Sequence, residues 1–208
     1  MYNMSMVVNT KSTHLESVRK ILADQRGIIF TSDLARFDIP RTYLSILEQN
    51  KEIEKVSRGI YKIPSSLEDE MFIFQSQYKS TIFSHETALY LHDLTDRSPL
   101  VYSVSMPDGY HSDSLNASGH KIFYVNRKLL DVGVAMLDSP HGSKIRVTGL
   151  ERTICDVIRS RNQMDVQAVN EALRRYAARR DKDIDFLNSC AKSFRVQRII
   201  RQYMEILL

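Results

Sequence analysis

The strongest constraint on the fold lies between Ser32 and Ile63, SDLARFDIPRTYLSILEQNKEIEKVSRGIYKI, where two short helical patterns separated by a proline run into a basic hairpin. Ser32 can accept from an unpaired amide of a first helical turn, and Leu34, Ala35 and Phe37 give that helix an apolar face. Pro40 pushes Ile39 out of the helical region and is well suited to the first position of a new helix, so a second helix is expected from Pro40 to Gln49. In it Tyr43, Leu44 and Leu47 recur at three- and four-residue spacing, which commits one face to a core and turns Arg41, Thr42, Ser45 and Glu48 elsewhere. Ile53 and Val56, then Ile60 and Ile63, flank Ser57-Arg58-Gly59 as two strands around a turn, and Lys55, Arg58 and Lys62 make that hairpin basic. Helix, tight turn, helix and basic hairpin in this register predict a winged helix-turn-helix, with the outward residues of the second helix where base edges are met. The plainer alternative is an ordinary small core with solvated cations.

The flanking chain completes that unit. Residues 1–12 are expected to be loose, and Leu15, Val18, Ile21 and Leu22 describe an amphipathic helix from Thr13 to Gln25, capped by Thr13 or Ser12. Gly27 ends it, and residues 28–31 read as a strand able to pair with the wing. Pro64-Ser65-Ser66 has linker chemistry, so the expected division is a DNA-binding domain at 1–64 and a second, effector domain at 65–208. In the second domain residues 67–70 place carboxylates at the head of a helix, Ser84 caps another, and residues 101–106, 121–126, 133–137 and 144–148 read as strands. The polar stretch 109–120 reads as a loop. From Leu150 the chain turns helical: Leu150 to Arg159, Asp165 to Arg180, Ile184 to Lys192 and Val196 to Leu208. The fold class is therefore α+β: a winged helix-turn-helix, then a mixed domain with a small, mostly antiparallel sheet and a helical C-terminal part.

Composition limits the partners. The 208 residues carry 29 basic and 25 acidic side chains. Residues 1–63 hold 10 basic and 7 acidic, and residues 161–208 hold 10 and 6, so both ends could approach phosphates. Cys155 and Cys190 have neither zinc spacing nor the look of a disulfide framework, and read as reduced core residues. No apolar run is long enough to span a bilayer and no basic start leads into a long apolar segment, so the chain is expected in the cytoplasm, away from membranes. Seven glycines and no phosphate-cradling loop give no cofactor, and no metal site is expected.

Catalytic patterns are weak. His85 and His92 stand seven apart on one helix, too far for one ion, since helical metal pairs sit three or four apart. Glu151, Arg152, Thr153 and Asp156 could gather a polar ligand or could simply salt-bridge the start of a helix. No Ser-His-Asp order or paired-carboxylate pattern can be defended, and the chain is read as not an enzyme. Between Asp165 and Arg180, Val166, Val169, Leu173, Tyr176 and Ala177 step by three and four, leaving Arg174, Arg175, Arg179 and Arg180 as a cationic ridge. The DNA-binding candidates are thus Arg41, Thr42, Tyr43, Ser45, Lys55, Arg58 and Lys62, with that ridge extending them.

Three stretches in this order, a winged helix ending in VSRGIYKI, FSHETALYLHDL at 83–94 and IRVTGLERTICD at 145–156, followed by a helical tail, resemble the AbiEi-type antitoxins of bacterial type IV toxin–antitoxin and abortive-infection systems. The resemblance spans roughly residues 14–208. It implies an autorepressor that binds double-stranded DNA at inverted repeats in its own promoter. It also implies antitoxicity in the C-terminal domain, countering a nucleotidyltransferase-like toxin without a stable complex. Such a protein is expected to be a monomer in solution, with more than one copy per operator. His85, Glu151, Arg152 and Asp156 are the antitoxicity candidates. Two other readings of the C-terminal domain stay open: an enzyme or ligand-binding module, and direct sequestration of a partner protein. Members of the family commonly carry glycine where this chain has Asp93.

Overall fold

The computed structural model describes the backbone of residues 4–207 and the side chains of residues 13–206. The chain divides into two compact units, Met1–Glu68 and Asp69–Leu208.

The first unit holds α1 (Met4–Asp24), β1 (Ile28–Phe30), α2 (Thr31–Arg36), α3 (Thr42–Gln49), β2 (Glu54–Ser57) and β3 (Ile60–Lys62). Its sheet has the order β1-β3-β2, antiparallel throughout, with Ile29 opposite Tyr61 and Lys55 opposite Tyr61 on the other side. Helix α1 starts at Met4, within a segment expected to be loose; no glycine or proline interrupts it before Asp24. Gly27 stops it at φ +87°, its amide returning to the Leu22 carbonyl at 2.6 Å. Ser32 is not the cap of α2. The cap is Phe30, whose amide donates to the Asp33 carboxylate at 3.0 Å. Asp38 takes φ +52° in the turn between α2 and α3, and the Ile39 amide folds back onto the Leu34 carbonyl at 2.9 Å. Pro40 and Arg41 form the lead-in to α3 rather than its first turn, Arg41 being the cap. Val18, Leu22, Ile29, Leu34, Leu44, Leu47 and Ile53 close the core.

The second unit contains α4 (Glu70–Gln77), β4 (Ile82–Phe83), α5 (His85–Leu91), β5 (Ser103–Pro107), α6 (Asp113–Asn116), β6 (Lys121–Val125), β7 (Val134–Asp138), β8 (Lys144–Thr148), α7 (Leu150–Arg159), α8 (Val166–Ala178), α9 (Ile184–Ser193) and α10 (Gln197–Leu207). The stretch expected as a loop thus includes α6, which Ser112 caps by accepting from the Leu115 amide. The five strands lie in the order β6-β5-β4-β8-β7. β4–β5 and β7–β8 are antiparallel, as local alternation suggests, while β4–β8 and β5–β6 are parallel. The parallel pairs join strands separated by a helix, which gives the chain room to cross over.

Adjacent residues on a strand face opposite sides of a sheet, and this splits the core in two. Ile82 joins Leu89, Ile154, Leu173, Tyr176, Leu187 and Ile200 on the side of α7 to α10. Its neighbour Phe83 joins Phe74, Val104, Met106, Ile145 and Val147 under α4. Asp93 follows α5 at φ +57°, the left-handed conformation that glycine takes at little cost, and the Leu94 amide closes the turn onto Leu89 at 2.8 Å. Among the described residues no helix is long and apolar enough to cross a membrane.

Candidate functional site

In the winged unit the amphipathic split of α3 matches its spacing. Leu44 and Leu47 are buried, and Arg41, Thr42 and Ser45 are exposed along its first turns. Tyr43 belongs with the core: it is 8% exposed and meets the His14 ring at 5.2 Å between centroids, so it is withdrawn from the DNA-facing set. In the wing Lys55 and Arg58 are exposed and carry no ion pair among the described residues. Gly59 forms the wing's turn at φ +78°, close enough to α2 that a Cβ there would lie 2.8 Å from the Thr31 hydroxyl. Lys62 is a second correction. Its ammonium is held by Glu68 at 2.7 Å and Glu54 at 3.1 Å, with the side chain 9% exposed. The hydrogen bond to Glu68, aided by Glu54, raises its pKa against the cost of burial, so the charge persists but is spent inside the unit.

The ridge on α8 is half neutralised. Arg175 pairs with Asp96 and, at 2.6 Å, with Glu171. Arg179 pairs with Asp181 at 2.7 Å and donates to the His92 carbonyl at 2.9 Å. These two anchor neighbouring segments and are not available as expected. Arg174 and Arg180 remain exposed.

The four antitoxicity candidates do not form one site. Glu151 turns toward α8 and α9, accepting from the Asp183 amide at 2.9 Å and the Tyr176 hydroxyl at 3.4 Å. Arg152, fully buried, donates through Nε to both oxygens of Asp156 at 2.9 Å and through NH1 to the carbonyls of Leu129 (2.9 Å) and Val132 (2.6 Å). Its guanidinium lies 3.9 Å over the Phe194 ring. Burial pushes the Asp156 carboxyl up, against the pull of Arg152. His85 opens α5 at φ +47° and is 2% exposed. Its ring stacks on Phe123 at 3.4 Å, and its nitrogens reach the Ser84 hydroxyl at 2.9 Å and the Ser160 hydroxyl at 3.0 Å. Burial lowers its pKa to about 3, so it is a neutral strut between β6 and the end of α7. His92 is elsewhere, donating to the Thr148 carbonyl at 2.7 Å.

His85 and Asp156 line a cleft of about 270 Å3 with Phe123, Arg159, Ser160 and Gln163. The last three were missed in the sequence, although Arg152, Asp156, Arg159, Ser160 and Gln163 follow helical spacing along one stripe. Thr153 closes the helix start, with its hydroxyl 2.9 Å from the Thr148 carbonyl.

Residues 16–64 match a family model described as "Transcriptional regulator, AbiEi antitoxin". The match covers most of the winged unit, where the resemblance to AbiEi-type antitoxins is borne out. No curated protein matches the chain in sequence. Among solved structures, the crystal structure of the RV2827C protein from Mycobacterium tuberculosis is similar with a TM-score of 0.60 at 13% identity, covering 92% of this chain and 77% of that one. That likeness shows a shared fold over both units.

Proposed function

We propose that this chain is a sequence-specific DNA-binding regulator and antitoxin, and that its winged unit recognises double-stranded DNA. The observation that carries the reading is the exposed trio Arg41, Thr42 and Ser45 over the buried Leu44 and Leu47, beside a wing whose Lys55 and Arg58 have no ion pair among the described residues, inside the segment that matches the antitoxin family model. Arg41, Thr42 and Ser45 enter the major groove, where a bidentate arginine reads guanine, while Lys55 and Arg58 hold phosphate. The operator consists of inverted repeats in the chain's own promoter, bound by more than one copy of a cytoplasmic monomer. The second unit counters a nucleotidyltransferase-like toxin without a stable complex and without enzymatic activity.

The test is a gel-shift series with the full chain on its own upstream DNA and on shuffled DNA of equal length. Specific retention of the upstream fragment is expected, and Arg41→Ala narrows the difference by about 1–3 kcal/mol. Equal affinity for the two fragments overturns specific recognition.

A further inference from the structure

The cleft beside His85 has an open sheet edge as one wall. β6 is the end strand of its sheet and pairs in parallel with β5, Lys121 opposite Ser103 and Val125 opposite Pro107. The Lys121 amide donates to the Tyr102 carbonyl at 2.8 Å, and the Val125 carbonyl accepts from Asp108 at 2.9 Å. Peptide groups alternate in direction along a strand, so Lys121, Phe123 and Val125 face β5 while those of Ile122 and Tyr124 turn outward, the N–H and C=O row that an edge strand offers.

Within the cleft the uncompensated charge is positive, while at the two ends of β6 Lys121 is held by Glu86 at 2.7 Å and the exposed Asp108 follows β5. The carboxylate of Asp156 is matched by Arg152 beneath it, and His85 is neutral. The Arg159 side chain, exposed at the cleft, has no ion pair or hydrogen bond among the described residues. Beyond the end of β6, Arg127 and Lys128 are exposed as well. A second copy of this chain laid along β6 would bring like charges together, whereas an acidic strand would meet its complement. A free small anion would satisfy Arg159 and leave the outward amides of Ile122 and Tyr124 unused.

We propose that β6 and the adjoining cleft bind an extended acidic segment of a partner polypeptide, which adds as a further strand on the backbone of Ile122 and Tyr124 and places a carboxylate on Arg159. His85 is a positioning residue here: stacked on Phe123 and bonded to Ser160, it fixes the spacing of the edge strand and the end of α7. Main-chain pairing supplies affinity and the charged pocket supplies selectivity, as in other strand-addition sites.

The experiment uses the full chain, isotopically labelled, and a panel of acetylated, amidated pentapeptides that alternate valine or threonine with glutamate, each with its glutamine counterpart. Amide hydrogen exchange at Ile122 and Tyr124 is followed by NMR. The glutamate peptides are expected to slow exchange at both amides by about tenfold, with the glutamine peptides binding several-fold more weakly. Arg159→Gln erases the difference between the two sets. Tyr124→Pro removes one outward N–H without touching the ladder to β5, so it abolishes binding while leaving the melting temperature nearly unchanged. Four results each overturn the proposal: no slowing at millimolar peptide, equal slowing in wild type and Arg159→Gln, protection that rises with protein concentration alone as a self-paired dimer requires, and perturbation of Arg159 by inorganic phosphate with Ile122 and Tyr124 left unprotected by every peptide.

Discussion

Replacing Arg152 by methionine removes the guanidinium, because the unbranched apolar chain keeps the stem as far as the Nε position while every polar contact, and the group seated over Phe194, is lost. Asp156, 1% exposed, is left without its partner, and the carbonyls of Leu129 and Val132 lose a donor. Breaking a buried ion pair on one side costs about 3–5 kcal/mol, and the two carbonyls, only part-buried, add less than the about 1–3 kcal/mol of a fully buried orphaned acceptor. These losses share one cavity and do not add, so about 4 kcal/mol at neutral pH is the expected cost, a large part of a domain's whole stability. The pH dependence has a definite sign. In Arg152→Met the folded-state pKa of Asp156 rises further above its unfolded value, because burial is then opposed only by the weaker pull of Arg159. The penalty is therefore largest above that raised pKa and shrinks as pH falls and the carboxyl takes up a proton. Urea unfolding followed by circular dichroism measures the cost, and Asp156→Asn added to Arg152→Met should recover part of it. A cost under about 1 kcal/mol, or no recovery in the double variant, refutes the claim that Arg152 neutralises a buried carboxylate.

Two further outcomes follow from the same unit. His85, lowered to about 3 by burial, takes up a proton more readily when unfolded, so its contribution to stability is complete above its ordinary pKa of about 6.5 and is lost as pH falls from there toward 3, by up to about 1.4 kcal/mol per pH unit. Thermal melts across that window should show His85→Gln with a flatter dependence than wild type, and parallel curves contradict the assignment. Asp93 pays for its φ of +57°, so Asp93→Gly should raise unfolding free energy by up to about 1 kcal/mol in urea titrations, and a loss of stability counts against the turn geometry.

The winged unit was readable because its signals are local. Pro40, Gly27 and Gly59 mark turns, and Leu44 and Leu47 mark the buried face of α3. What escaped depends on which acidic or carbonyl partner each side chain meets, near or far along the chain, and spacing alone does not announce it. Lys62 looked like a wing cation because nothing in GIYKI announces that Glu68 returns to it. Arg175 and Arg179 looked like a free ridge although Glu171 and Asp181 stand close by in sequence, and their further acceptors, Asp96 and the His92 carbonyl, lie more than seventy residues earlier. The cleft needed β6 placed in parallel beside β5, a register that alternation within KIFYV does not encode, and it needed His85 to bridge to Ser160 across 75 positions. The stripe from Arg152 to Gln163 was visible as spacing, but its two ends do different work: Arg152 lies buried under the floor, and Arg159 stands at the opening.

The most direct measurement of the central claim is the affinity of the full chain for its own upstream DNA across a salt series, with Arg58→Ala and Lys62→Met beside wild type. Losing one phosphate contact flattens the plot of log affinity against log salt by about 0.9. That flattening is expected for Arg58→Ala, with Lys62→Met keeping the wild-type slope because the Lys62 ammonium is held by Glu54 and Glu68. An unchanged slope for Arg58→Ala, or a flattening for folded Lys62→Met equal to that of Arg58→Ala, would contradict the claim.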